Sequence, residues 1–281
     1  MRSFFSTETC ITAHRQEESL RGGLVHNGRP RSNFDIGAND GSDTDAYLKR
    51  GNRVVSVEAN PALCVDLRKR FASAIENGQL VVIDKAISRR RKVALYVNSE
   101  ESGWGTTQPS YAARGHRLRG KITEVEVDTI TVIDLIRAYG VPNRVKVDIE
   151  GADIICLLDL YGGELPQHLS IERPKSLSDQ LFALTLLRRM GYTRFALIDQ
   201  TSEGKQIHST SGLFTDDLPS DAWKSFAITL ATNLGHYGGR ALSAAIRRTP
   251  GFRQLAPRGR WFDIHARLTG AHSDPRPVSS G

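Results

Sequence analysis

The chain is expected to fold as a single α/β domain, a mostly parallel sheet with helices on both faces, and three observations predict it. From Asn33 onward, short apolar runs alternate with helical patterns, as they do where βαβ units build a parallel sheet. The first run, Asn33-Phe34-Asp35-Ile36, ends in a turn with two glycines, Gly37-Ala38-Asn39-Asp40-Gly41, just before a helical pattern. The length, 281 residues with 39% hydrophobic and 25% charged side chains, suits one large domain better than two.

The elements follow in order. Residues 1–32 read as a polar N-terminal arm with Gly22, Gly23, Gly28 and Pro30 and no sustained period. Strands are expected at 33–36 and 53–57, separated by a helix at 42–50 that Gly51 stops. Asn60 is placed as an N-cap with Pro61 in the first helical position; Leu63, Leu67, Phe71 and Ile75 then recur every four residues until Asn77-Gly78. A third strand covers 79–84, and alternating strands at 91–97 and 122–128 flank a polar loop, 99–120, long enough to be functional. A strand at 144–149, a helix at 152–160, strands at 168–172 and 194–198 and a helix at 176–190 complete a core of 33–200. Residues 201–270 are expected to form a basic helical insertion or lid, helical over 221–248 with a break at 235–239. A last strand at 261–266 then returns to the sheet edge, and 271–281 form a disordered tail.

Composition excludes several classes. No run approaches the roughly 18–20 apolar residues of a membrane span, and the N-terminus lacks a secretory apolar core, so a soluble cytoplasmic protein is expected. Cys10, Cys64 and Cys156 form no C-x-x-C pair and no two histidines have H-x-x-x-H spacing, so a disulfide framework or zinc site is not indicated. The formal charge of +7 is concentrated after Tyr237, where eight arginines face two aspartates. Such a segment suits an acidic partner, or is simply a solvated face.

The glycine turn implies a nucleotide-like cofactor, because glycines admit close backbone approach and a helix N-terminus offers free N–H groups. Its spacing is G-x-x-x-G rather than the G-x-G-x-x-G of dinucleotide sites. Glu58 ends the next strand, 21 residues after Gly37, where an acid accepts hydrogen bonds from both ribose hydroxyls. Asp84 ends the third strand at the same sheet edge, suited to an adenine amine.

The segments FDIGANDGSDT, VEANP, VIDKAIS, VEVDTITVIDLI and VKVDIEGAD, in this order, resemble the FkbM-like family of S-adenosylmethionine-dependent methyltransferases, over residues 33–200. The resemblance implies a seven-stranded, Rossmann-like class I methyltransferase fold with S-adenosylmethionine as cofactor. It also implies methyl transfer to a hydroxyl of a sugar or natural-product-like acceptor, a small molecule or glycan. It carries the cofactor contacts to Asp35, Gly37, Asn39 and Gly41, to Glu58 for the ribose, and to Asp84 with Ala86 near the adenine.

Asp148 and Glu150 follow the fourth strand of the core, and simple alternation points both to one side together with Lys146. They are the leading candidates for a base, a donor-positioning pair or ligands of Mg²⁺, though no dedicated metal motif is present. Otherwise Glu150 caps the next helix and Asp148 orders the cofactor loop. His265, on one strand face with Asp263, and His116 in the polar loop are further bases, Glu172 ends the fifth strand of the core, and Trp104 and Tyr111 are candidates for stacking. Three alternatives stand beside this reading: a nicotinamide-dependent oxidoreductase, a ribose or other nucleic-acid methyltransferase using the basic C-terminal region, and a catalytically silent scaffold. Neither an (Asp/Asn)-Pro-Pro-(Tyr/Phe) loop nor a Pro-Cys pair, the signatures of base methylation, occurs.

Overall fold

The computed structural model describes residues 32–100, 105–115, 121–199, 222–235 and 262–269. The elements run β1 (Ser32–Ile36), α1 (Ser42–Lys49), β2 (Arg53–Glu58), α2 (Pro61–Arg70), α3 (Ala72–Glu76), β3 (Leu80–Asp84), β4 (Ala86–Ile87) and β5 (Lys92–Asn98). They continue α4 (Pro109–Gly115), β6 (Ile122–Ile130), α5 (Val132–Tyr139), β7 (Arg144–Val147), α6 (Asp153–Leu160), β8 (His168–Glu172), α7 (Leu177–Arg189), β9 (Arg194–Asp199) and β10 (Phe262–Arg267). Residues 226–235 are also helical.

Seven strands form one sheet in the order β3-β2-β1-β7-β8-β10-β9, parallel except for β10. This is the Rossmann-like class I methyltransferase arrangement that the resemblance implies. The chain steps outward from β1 to β2 and β3, then returns to lay β7 on the other side of β1. The crevice at this reversal, outside the carboxyl ends of β1 and β7, is where such sheets bind ligands. A second, three-stranded sheet, β4-β6-β5, stands beside it.

One face of the main sheet is apolar: Phe34, Ile36, Val145, Val147, Leu169 and Ile171 pack with Leu135 of α5, Leu157 and Leu160 of α6 and Leu184 and Leu187 of α7. Each such side chain contributes about 1.5–3 kcal/mol by leaving water. The opposite face carries a polar file. Asp35, Lys146, Ser170 and His265 are register partners across β1, β7, β8 and β10 and so share that face.

Several elements depart from expectation. The four-residue repeat predicts one helix from Pro61, with its Asn60 cap, and the cap is present, Asn60 Oδ1 accepting from Ala62 N–H at 3.1 Å. The helix breaks at Phe71, whose φ of −111° leaves the helical range while its ring packs against Gly41. The expected edge strand is instead inserted, antiparallel, between β8 and β9, which leaves β9 at the edge. Helices α4 and α5 were not expected, although Thr131 caps α5 by accepting from Asp134 N–H. Most of the expected arm, insertion and tail lies outside the described residues. Among the described residues no helix is long and apolar enough to cross a membrane, and Cys64 and Cys156 are buried free thiols.

Candidate active site

The turn after β1 is built by backbone conformation. Gly37 (φ 86°), Asn39 (φ 47°) and Gly41 (φ 79°) all adopt positive φ, and the Gly37 and Ala38 N–H groups donate to the Val57 carbonyl at 2.9 and 3.1 Å. Gly37 is required by space as well. A Cβ there would lie 1.9 Å from the Asp148 carbonyl oxygen, while the Asp148 N–H donates to the Ile36 carbonyl at 2.9 Å. The loop after β1 and the turn after β7 are therefore one packed unit.

Glu58 closes β2 beside that unit. Its carboxylate accepts from Asn39 N–H and Asn60 N–H, both at 2.8 Å. Burial raises its pKa, against the pull of these amides. Between Glu58 and Asp148 lies a cleft whose walls include Gly37, Asn39, Ala59, Lys85, Ala86, Ile87, Leu95, Gly105, Thr106, Thr107 and Ile149.

At the Asp148 end the carboxylates gather. Strand β7 stops at Val147, so Asp148 and Glu150 do not meet through alternation. They stand in a turn where Glu150 has φ 50° and Gly151 φ 98°. For a non-glycine residue this backbone costs about 1–3 kcal/mol and persists only where the surroundings impose it. Asp153, rather than Glu150, caps the turn, accepting from Ile149 and Gly151 N–H at 3.4 and 3.2 Å. Carboxylate oxygens of Asp148, Glu150 and Glu172 lie within 4.8 Å of one another, because the register of Val147 with Ile171 sets the ends of β7 and β8 side by side. Two ammonium groups flank them. Lys146 Nζ is 2.7 Å from Asp43 and 3.5 Å from Asp148, and Lys175 Nζ is 3.2 Å from Glu150. Burial, then the charges of Glu150 and Asp148, push the Glu172 pKa up to about 8. Burial pulls Lys146 down, but Asp43, Asp148 and Asp35 together hold its pKa well above the usual lysine value. An oxygen-only set of this kind suits a shared proton or a hard cation.

The family model of the methyltransferase FkbM domain matches residues 35–193, which contain this whole site. The chain belongs to the FkbM methyltransferase family. Solved structures similar to this methyltransferase include a precorrin-6Y C5,15-methyltransferase from Geobacter metallireducens (10% identity, 95% of this chain and 90% of that one, TM-score 0.38). A SAM-dependent O-methyltransferase from Thermotoga maritima is similar at 7% identity over 97% and 69% of the two chains, TM-score 0.35. A 1,6-didemethyltoxoflavin-N1-methyltransferase from Burkholderia thailandensis is similar at 12% identity over 92% and 79%, TM-score 0.35. Likeness at this level says nothing about the acceptor. No curated protein matches the chain.

Of the residues the sequence singles out in this methyltransferase, Gly37, Asn39, Glu58, Ala86 and Asp148 line the cleft. Others act from behind it. Asp35 is fully buried and accepts from Thr44 Oγ at 2.6 Å; burial lifts its pKa to about 6, against the nearby Lys146. Gly41 starts α1, and a Cβ there would meet Leu67 at 2.5 Å and Phe71 at 2.6 Å. Asp84 is register partner of Glu58, but its exposed side chain faces Arg68 at 3.3 Å. Glu150 stands beside Asp148, its carboxylate within 4.8 Å of that of Asp148.

His265 is placed differently from the expectation of a base. It lies in the polar file of the sheet, 5% exposed, with neither ring nitrogen hydrogen-bonded, and burial pushes its pKa down to about 3. It is a neutral buried side chain, not part of the cleft. Tyr111, a candidate for stacking, already carries the Lys175 ammonium on one face of its ring, Nζ standing 4.6 Å from the ring centre. His116 and Trp104 lie outside the described residues. Sequence reasoning missed Asp43, Thr106, Asp153 and Lys175. The acidic first turn of α1 was the only visible signal for Asp43.

Proposed function

We propose that this methyltransferase takes its methyl group from S-adenosylmethionine and transfers it to a hydroxyl of a sugar or natural-product-like acceptor. The observation that carries the donor assignment is the cleft at the sheet reversal, with buried Glu58 at one end and Asp148 at the other. Its residues suit the group: the bare backbone at Gly37 for close approach with Asn39 beside it, Glu58 for the ribose hydroxyls, Ala86 and Ile87 as an apolar wall for the adenine, Asp84 at the rim. Asp35 and Gly41 shape the loop from beneath. When bound, S-adenosylmethionine supplies an electrophilic methyl on a positively charged sulfur.

The chain's own part is to manage a proton. An acceptor hydroxyl has a pKa far above 7, so its oxygen attacks well only as its proton leaves to a placed base, an effect typically of 10² to 10⁴ in rate. Asp148 and Glu150 are that base pair in this reading. Lys146, locked between Asp43 and Asp148, orients the Asp148 carboxylate, and Glu172 holds or passes on the proton within the same cluster. Mg²⁺ on these carboxylates is the competing version, and EDTA separates the two: inhibition reversed by Mg²⁺ supports the ion, indifference supports the direct base.

Calorimetric titration with S-adenosylhomocysteine tests the donor assignment. Binding is expected, with no heat from NADH. Glu58→Ala should weaken it about tenfold or more, since charge-assisted hydrogen bonds are worth roughly 1.5–3 kcal/mol. Unchanged affinity in that variant removes Glu58 from the site.

A further inference from the structure

Glu150 holds a strained backbone conformation at the heart of the carboxylate cluster, and besides the Asp153 cap within the turn, contacts from other segments hold it. Thr106 Oγ1 donates to the Glu150 carbonyl at 2.8 Å. Lys175 Nζ reaches the Glu150 carboxylate at 3.2 Å and the Tyr111 ring centre at 4.6 Å. The Tyr111 ring in turn occupies the space that a side chain at position 151 would need: a Cβ on Gly151 would fall 2.5 Å from Tyr111 Cζ. Glycine at 151 is thus demanded twice, by its φ of 98° and by the tyrosine above it.

Thr106 and Tyr111 belong to the same described segment, 105–115, whose Gly105, Thr106 and Thr107 line the donor cleft. The segment is tied to β5 by the reciprocal backbone pair of Tyr96 and Thr106, at 2.9 and 3.1 Å. One short stretch therefore walls the donor and clamps the turn that carries Glu150. We propose that Tyr111 and Lys175 are positioning residues for Glu150, a latch that couples the wall which segment 105–115 gives the donor cleft to alignment of the carboxylate. The inference rests on the reading of the cleft as a donor site and deepens it: the base is set in place by the wall of the donor cleft, rather than by the rigid sheet alone. A ring at position 111 is the requirement, since it fills the space over Gly151 and carries the Lys175 ammonium on its face.

Hydrogen exchange of the full chain, with and without saturating S-adenosylhomocysteine, tests this without an acceptor. In the wild type the ligand is expected to slow exchange both at 37–39 and at 149–153, by about tenfold or more at each. In Tyr111→Ala the ligand-induced slowing should persist at 37–39 and be lost at 149–153, with Lys175→Met showing the same pattern more weakly. Tyr111→Phe, which keeps the ring, should restore the wild-type pattern, as a general loosening of the fold would not. Equal protection of 149–153 in Tyr111→Ala, or a Tyr111→Phe protein as defective as the alanine variant, overturns the latch. Should the ligand protect neither segment in the wild type, the donor reading fails. The latch is then judged on the ligand-free proteins, where faster exchange at 149–153 in Tyr111→Ala than in the wild type supports it and equal rates refute it.

Discussion

Replacing Gly37 with alanine should damage the turn after β1 and the turn after β7 together, and the structure gives the size of the effect. The new Cβ would start 1.9 Å from the Asp148 carbonyl oxygen, when contacts under 3.0 Å essentially never occur. The backbone on one side must retreat by about 1 Å, which disrupts the 2.9 Å bond from Asp148 N–H to the Ile36 carbonyl, a loss of about 1 kcal/mol. Holding an L-residue at φ 86° adds roughly 1–2 kcal/mol. A total of about 2–3 kcal/mol corresponds to a fall in Tm of roughly 4–12 °C for a chain of this size. Gly51→Ala is the internal control. Its φ of 75° brings the same strain, but nothing lies within 4 Å of its Cβ, so it should cost about 1–2 kcal/mol and leave affinity for S-adenosylhomocysteine unchanged. Thermal melts and calorimetric titration of both variants decide the matter. If Gly37→Ala loses no more stability or affinity than Gly51→Ala, the packed unit of the two turns does not exist as described.

Asp148→Asn should keep the fold and most donor affinity while lowering turnover about a hundredfold or more, read as S-adenosylhomocysteine release over a panel of hydroxyl acceptors. Near-normal turnover would make Asp148 structural. Glu172, with its pKa raised to about 8 by burial and by Glu150 and Asp148, should stay protonated at neutral pH, so the rate should climb as pH passes about 8. Glu150→Gln should move that midpoint downward, and an unmoved profile would remove the coupling. The sign for stability is opposite to that of an ordinary paired carboxylate. A pKa raised on folding favours the native state below the unfolded value of 4.5, and that advantage is lost as pH rises toward 8. Melting temperature should therefore fall between pH 5 and 8 more in the wild type than in Glu172→Gln.

Much of the Glu58 end of the cleft was legible in the sequence, because its cues are local: β1, the glycine turn and Glu58 at the end of β2 lie within one βαβ unit, and the Asn60-Pro61 cap follows it directly. The carboxylate cluster depends on register. Glu172 and Lys175 meet Glu150 only because Val147 pairs with Ile171, and no spacing in the chain encodes that pairing. Alternation gave the right company for Asp148 and Glu150 for the wrong reason, since the strand ends before them and the turn brings them together. For His265 alternation holds, but insertion of β10 between two strands, rather than beside them, buries the imidazole. Helix α5 left no clear signal because it begins in the run Thr129-Ile130-Thr131-Val132-Ile133, whose β-branched side chains have low helix propensity. The polar file across the sheet also escaped notice, since a buried parallel sheet is ordinarily apolar on both faces.

The most direct test of the central claim is a co-crystal structure with S-adenosylhomocysteine. The expected result is a ligand in the cleft at the carboxyl ends of β1 and β2, its ribose hydroxyls on the Glu58 carboxylate and its sulfur facing Asp148. A ligand bound elsewhere, or one in this cleft that makes no contact with Glu58, would contradict the account.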